Sequence, residues 1–130
     1  MQVTMHITLM YAGILAILFL ALSVQTIRMR TKTKVNLGDG GNPEMQRIMR
    51  GHANFAEYVP MVLILMALLE SNGASPMLVN VIGVVLLVGR VFHAYTFAMT
   101  DKFFAGRVIG ASLSMLALGI GGIACIMRVV

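Results

Sequence analysis

The sequence is poor in charged residues and holds a single cysteine. Of its 130 residues, 12% are charged and 58% are hydrophobic, and only five are acidic. A soluble domain of this length needs far more polar surface, so the composition excludes an ordinary soluble domain. Because Cys125 stands alone, an internal disulfide and a thiolate metal site are also excluded, and we expect no bound metal.

The first long apolar run carries no charge at all. It covers residues 7–27, and a helix of that length spans about 31 Å, the thickness of a bilayer core. The preceding segment, MQVTMH, lacks the lysine or arginine of a cleaved signal peptide, so we expect the helix to be retained. Three similar segments follow, and we predict a single domain, 1–130, with four transmembrane helices at about 7–28, 45–70, 77–99 and 107–128.

Turn and charge signals predict how these helices are arranged. Asn42-Pro43-Glu44 is typical of a helix start, and the short ESNGASP link predicts an antiparallel hairpin between helices two and three. Basic residues cluster in the first and third connections and their flanks, at Arg28, Arg30, Lys32, Lys34, Arg47, Arg50, Lys102 and Arg107. The opposite side holds only Glu70 and Arg128. The positive-inside rule therefore predicts both termini on the non-cytoplasmic side. Since anchoring in a lipid bilayer explains the net charge of +5, we expect no nucleic-acid partner.

The second helix gathers polar side chains on one stripe. With Arg50 at zero and about 100° per residue, Asn54 falls at about 40° and Glu57 at about −20°. Arg47 falls at about 60°, whereas His52 points away and is expected to face a loop or the interface. A lone carboxylate at this depth is costly, so we expect Glu57 to be paired or to face a polar cavity. A structural ion pair between helices is the alternative to a ligand site.

Further cationic side chains are predicted to join this stripe. Arg90 and His93 on the third helix are about 60° apart and are expected to turn towards it. Arg28 and Arg107 close two helices at the same membrane level, where for each residue taken alone an interfacial anchor is the favoured interpretation. Several guanidinium groups around one carboxylate favour an anion, and Glu57 suits an ammonium group. A ligand with several carboxylates and one amine would satisfy both.

Small residues recur every fourth position on the last helix. Gly106, Gly110 and Ser114 form a small-xxx-small row, which predicts close approach of another helix. The general enrichment of glycine in membrane helices is the alternative explanation. The row bears on packing and adds no candidate for chemistry.

The segment RGHANFAEYVP resembles the hallmark R-x-H-x-N-x-x-E-x-x-P of the MAPEG family, membrane-associated proteins in eicosanoid and glutathione metabolism. IRMR at the end of the first helix and GRVFHAYTF on the third agree with it. The run GDGGNPEMQRIMRGHANFAEYVP is similar above all to small bacterial inner-membrane members. The resemblance implies an all-α, integral membrane four-helix bundle that assembles as a homotrimer. It also implies glutathione as co-substrate, bound between neighbours near the cytoplasmic side.

Positions can be carried over from the family one residue at a time. The implied glutathione-binding residues are Arg50, Asn54, Glu57, Arg90, His93 and Arg107, with Arg28 reaching in from the adjacent subunit. Arg107 takes the place of an arginine that stabilises the thiolate in eicosanoid-type members, and it is the first catalytic candidate. Arg90 is the second.

The chain also departs from the family at three positions. Ala53 replaces an arginine of some members, and Phe97 replaces a tyrosine whose hydroxyl could contact glutathione or its sulfur. Val108 stands where prostaglandin synthase has a serine, which argues against prostaglandin-synthase specificity. The predicted function is a membrane glutathione transferase, with peroxidase activity as a variant, acting on an apolar electrophile that enters from lipid.

Two other functions remain compatible with four apolar helices. A small proton-coupled exporter would use an intramembrane carboxylate such as Glu57, but the first helix lacks an acidic residue and the arginines would repel cationic drugs. A non-catalytic scaffold could keep the fold, bind glutathione and turn nothing over.

Overall fold

Four helices account for almost all of the chain. In the computed structural model, which describes residues 5–100 and 104–130, they are α1 (His6–Thr33), α2 (Pro43–Ser71), α3 (Pro76–Met99) and α4 (Phe104–Ile126). Each is long and apolar enough to cross a membrane, and the described residues contain no strand. The prediction of an all-α protein with four membrane-length helices is therefore confirmed.

The helix ends follow local capping signals. Asn42 accepts a hydrogen bond from the backbone N–H of Met45 at 3.0 Å, and Pro43 occupies the first turn of α2, so the predicted helix start is confirmed. α1 ends at Thr33 rather than near residue 28. Its polar last turns remain helical until Lys34, whose φ of 56° is left-handed and terminates the helix.

Consecutive helices run antiparallel, as their contacts demonstrate. Glu70 at the end of α2 meets Thr8 at the start of α1. Phe97 near the end of α3 meets both Arg47 near the start of α2 and Arg107 near the start of α4. Among the described helices, α1 packs on α2 and α3, α4 packs on α2 and α3, and α1 does not touch α4. One end of the bundle therefore holds the end of α1, the start of α2, the end of α3 and the start of α4. We call it the basic end, because it carries Arg28, Arg30, Lys32, Lys34, Arg47, Arg50 and Arg107. Lys102, counted with them in the sequence, lies outside the described residues.

The α3–α4 crossing is made by glycines. Gly106, Gly110 and Ser114 are all buried, as the small-residue row predicts. A Cβ placed on Gly110 would lie 2.8 Å from the carbonyl oxygen of Gly89 and 2.7 Å from Cβ of His93. The two backbones thus approach too closely for a side chain at this point, which brings His93 against α4.

At the opposite end, Glu70 caps the start of α1. Its two carboxylate oxygens accept hydrogen bonds from the backbone N–H groups of Ile7 and Thr8 at 2.9 and 2.8 Å, and from the Thr8 hydroxyl at 2.7 Å. The residue before the helix, Met5, supplies no side-chain cap of its own. A negative charge at a helix N-terminus is stabilising, so Glu70 ties α1 to the end of α2.

Candidate functional site

The first element of the candidate site is a buried arginine without an acidic partner. Arg90 of α3 is 1% exposed. Its Nη1 donates to Oδ1 of Asn54 at 2.9 Å, and its Nη2 donates to the carbonyl oxygen of Gly110 at 3.3 Å. Its Nε has no hydrogen-bond partner, and among the described residues the guanidinium forms no salt bridge. An uncompensated buried charge is costly, so the surroundings of Arg90 favour a nearby anion.

The second element is a stack of three side chains. The rings of His93 and Phe97 are stacked, with centroids 4.4 Å apart and an interplanar angle of 23°. The guanidinium carbon of Arg107 lies 4.7 Å from the centroid of the Phe97 ring, a cation–π contact. α3 supplies the two rings and α4 supplies the cation, because the close crossing at Gly110 places the start of α4 beside the end of α3.

Phe97 is itself held by α2. Nη1 of Arg47 donates to the carbonyl oxygens of Phe97 at 2.6 Å and Thr96 at 3.4 Å in the last turn of α3, where the Thr96 oxygen also accepts from the backbone N–H of Thr100. A Cβ on Gly51 would lie 2.5 Å from Cβ of Phe97, so the hallmark segment has room for Phe97 only because residue 51 is glycine. α2 therefore fixes both the backbone and the side chain of Phe97.

Phe97, Arg107 and Arg47 border a cavity of about 240 Å³ at the basic end. It is lined by Pro43, Gln46, Arg47, Arg50, Phe97 and Arg107. Three of the six are arginines and none is acidic. The charge and the fork geometry of guanidinium groups suit carboxylates, so the lining of this cavity is chemically compatible with an anionic ligand.

The predicted partner of the ligand amine lies just outside this cavity. Glu57 approaches Arg50 to 4.0 Å, and the two side chains are 53% and 61% exposed on the surface of the single chain. Glu57 is thus paired, as expected, but with its own helix, and Asn54 rather than Glu57 contacts Arg90. The predicted stripe therefore splits: Asn54 faces α3, whereas Arg50 lines the cavity and its ion pair with Glu57 lies on the exposed surface of the chain.

Arg28 is not brought to this cavity within one chain. It is exposed on α1 and borders a separate cavity of about 170 Å³ between α1 and α2, together with Gln25, Lys32 and Glu44. Of the predicted set, the single chain thus gathers Arg50, Asn54, Arg90, His93 and Arg107 around α3, with Glu57 at the edge.

The expectation for His52 was wrong. Its Nε2 lies 3.0 Å from the hydroxyl of Ser23, and its ring stacks on Phe19 at 4.7 Å, so it packs between α2 and α1. His52 points away from the polar stripe but packs against α1, because Ser23 provides a hydrogen-bond partner within that apolar helix.

Sequence reasoning placed Arg47 on the polar stripe but did not include it among the glutathione-binding residues. Its position on the stripe was a usable signal, since it precedes Arg50 by one helical turn. Its contacts could not be read from the sequence, because the acceptors are backbone carbonyls of α3.

Comparison with known proteins identifies the family. A sequence model of the MAPEG family matches residues 8–127. The chain is 38% identical over 112 residues to a protein named inner membrane protein YecN in two Escherichia coli strains, K12 and O6:H1, covering 86% of this chain and 84% of the relative. The family match spans all four helices and the hallmark segment that forms the candidate site. The chain belongs to the MAPEG family.

Proposed function

We propose that the chain is a glutathione-dependent transferase or peroxidase of the bacterial inner membrane. The observation that carries the proposal is the cavity lined by Arg47, Arg50 and Arg107 without an acidic residue. Membership of a family in eicosanoid and glutathione metabolism supports it, as does the similarity to inner membrane protein YecN. The positive-inside rule then places the basic end in the cytoplasm and both termini on the other side.

Glutathione satisfies the charges of this site. The tripeptide carries carboxylates at both ends and an ammonium group at one of them. Arg50 and Arg107 suit carboxylate and thiolate, Glu57 suits the ammonium group, and Asn54 has donors left after it accepts from Arg90. Arg90 and His93 belong to the binding set through the residues that they contact, Asn54 and Phe97.

The proposed site is completed by a second copy in a homotrimer. The cavity of about 240 Å³ is below the range of about 300–1,000 Å³ that is usual for a whole ligand. Arg50 and Glu57 are exposed on a membrane-length helix, where an ion pair facing hydrocarbon is costly and a neighbouring subunit would cover it. Arg28, which lies apart from the cavity in its own chain, would enter the neighbour's site.

The proposed chemistry is formation of a thiolate beside Arg107. A free thiol, with a pKa of about 8.5, is mostly protonated at neutral pH, and only the thiolate attacks. A guanidinium next to the sulfur, in a partly desolvated site, lowers that pKa by about one unit or more, and each unit favours the thiolate by about 1.4 kcal/mol. The thiolate then forms a C–S bond to an apolar electrophile that arrives from the lipid, and the electrophile either expels a leaving group or takes up a proton from water. In the peroxidase variant, two glutathione molecules reduce a lipid hydroperoxide to an alcohol and water and are oxidised to the disulfide.

Ultraviolet difference spectroscopy tests this proposal. Adding glutathione to the detergent-solubilised protein at neutral pH should produce the thiolate band, which Arg107→Ala should abolish and Arg107→Lys should partly retain. Absence of the band at millimolar glutathione in folded wild-type protein would overturn the proposal. A proton-coupled exporter would ignore glutathione and lose transport in Glu57→Gln, and a scaffold would bind glutathione without turning over any electrophile.

A further inference from the structure

We infer that Phe97 is a positioning residue, whose ring holds the Arg107 guanidinium over the cavity at the basic end. The inference rests on the proposed role of Arg107 beside the glutathione sulfur. It concerns an aromatic ring that offers no proton, no charge and no hydrogen bond, and that acts only through the cation it contacts.

The need for such a device follows from charge. Arg47, Arg50 and Arg107 line one cavity that includes no carboxylate, so their like charges repel one another. Arg47 is bound to the carbonyl oxygens at the end of α3, and Arg50 lies 4.0 Å from Glu57. Arg107 has neither kind of partner among the described residues, and the contacts that hold its guanidinium are aromatic.

Two aromatic rings are near this guanidinium, and they differ in their distance from it and in their exposure. The Phe97 centroid lies 4.7 Å from the guanidinium carbon, whereas that of Phe104 lies 6.0 Å away, at the edge of the useful range. Phe97 is 7% exposed, whereas Phe104 is 68% exposed on the first turn of α4. A desolvated ring at short range attracts a cation more strongly, so Phe97 is the ring that decides where Arg107 points.

Phe97 is suited to this task because both its backbone and its ring are held by neighbouring residues. Arg47 holds its carbonyl oxygen at 2.6 Å, Gly51 leaves room for its Cβ, and His93 stacks on its ring at 4.4 Å. Residues of α2 thus hold Phe97 of α3 in place, and Phe97 in turn positions the Arg107 guanidinium of α4. Because Arg107 is exposed, losing the ring would cut the population of aligned Arg107 by about twofold to fivefold, the range of cation–π contacts at exposed sites.

The experiment compares Phe97→Leu, which removes the ring, with Phe97→Tyr, which retains it, and with Phe104→Leu as the matched control. The first readout needs no glutathione: the side-chain Nε–H resonance of Arg107, assigned by its loss in Arg107→Lys, reports the ring current. We expect it to move towards the position of unstacked arginines in Phe97→Leu and to stay close to the wild-type position in Phe97→Tyr and Phe104→Leu. An unmoved resonance in Phe97→Leu would overturn the inference.

The second readout is the pH midpoint of the glutathione thiolate band. We expect Phe97→Leu to raise this midpoint by about half a pH unit or more, because fewer sulfur atoms meet an aligned guanidinium. Phe97→Tyr keeps the ring and adds a hydroxyl that could donate to the sulfur, so its midpoint should lie at or below the wild-type value, and a midpoint raised as far as in Phe97→Leu would contradict the positioning role. An unchanged midpoint in Phe97→Leu contradicts the positioning role. A wild-type protein with a ring-shifted Arg107 and no thiolate band would instead overturn the proposed function, and with it the catalytic part of this inference.

Discussion

Nη1 of Arg90 lies 2.9 Å from Oδ1 of Asn54, and this hydrogen bond joins the hallmark segment of α2 to the middle of α3. It is the contact through which a fully buried guanidinium reaches the candidate site. Because Arg90 has no carboxylate partner among the described residues, the side-chain oxygen of Asn54 is an important hydrogen-bond acceptor for its guanidinium.

Residue 54 is accordingly predicted to govern stability through Arg90. Asn54→Leu removes the acceptor and should lower the free energy of unfolding by about 1–3 kcal/mol, since a charged donor is left unsatisfied. Asn54→Asp keeps an acceptor and adds a counter-charge, so it should unfold at the wild-type temperature or above. Thermal unfolding in detergent measures both. Equal stability of Asn54→Leu and wild type would contradict the assignment.

The carboxylate cap on α1 gives a second prediction. Glu70→Gln loses a charged acceptor for the amides of Ile7 and Thr8, and should lower the free energy of unfolding by about 1–3 kcal/mol. Glu44→Gln is the matched control, because its pairing with Lys32 is long, at 3.9 Å, and exposed, and such pairs contribute about 0–1 kcal/mol. If the two variants were equally stable, Glu70 would not be a significant cap.

The α3–α4 crossing predicts opposite effects at two glycines of one helix. Gly110→Ala must displace His93 or Gly89 and should destabilise the protein by about 1–3 kcal/mol, as overpacking does. A Cβ on Gly119 meets nothing within 4 Å, so Gly119→Ala should be neutral or stabilising by up to about 1 kcal/mol. Unfolding of the two variants side by side tests the crossing, and a harmless Gly110→Ala would show that the helices lie further apart.

The contact of Arg47 with the end of α3 should be visible in hydrogen exchange. Arg47→Met leaves the carbonyl oxygens of Thr96 and Phe97 without this donor, so amides in the last turn of α3 should exchange about fivefold faster, the effect of losing about 1 kcal/mol. Arg50→Met serves as the control, because Arg50 makes its ion pair within α2. Exchange that is equally fast in both variants would contradict a specific role for Arg47.

The fold was largely predictable because its signals are strong. Uncharged apolar runs of bilayer length define helices in a way that depends little on tertiary structure. The end of α1 was harder to predict, because its last turns are polar. The helix ends where Lys34 adopts a left-handed conformation, which hydropathy does not indicate.

The site was predictable in its residues but not in its contacts. Asn54 and Glu57 are about 60° apart on α2, enough for one to face α3 while the other lies on the outer surface. Helical phase alone cannot say where the bundle boundary falls within that arc. The partners of Arg47 and Arg107 could not be predicted from charge. Arg47 binds backbone carbonyl oxygens and Arg107 contacts the face of a ring, and neither kind of partner produces a charge pattern in the sequence.

The measurement that tests the central claim most directly is equilibrium binding of radiolabelled glutathione to the detergent-solubilised protein. We expect saturable binding at millimolar glutathione or below, weakened about tenfold in Arg50→Gln by the loss of a charged hydrogen-bond donor. Lys34→Gln, which removes an exposed charge at the end of α1, should bind like wild type. No saturable binding by folded wild-type protein, or binding that is indifferent to Arg50, would contradict the assignment of this site.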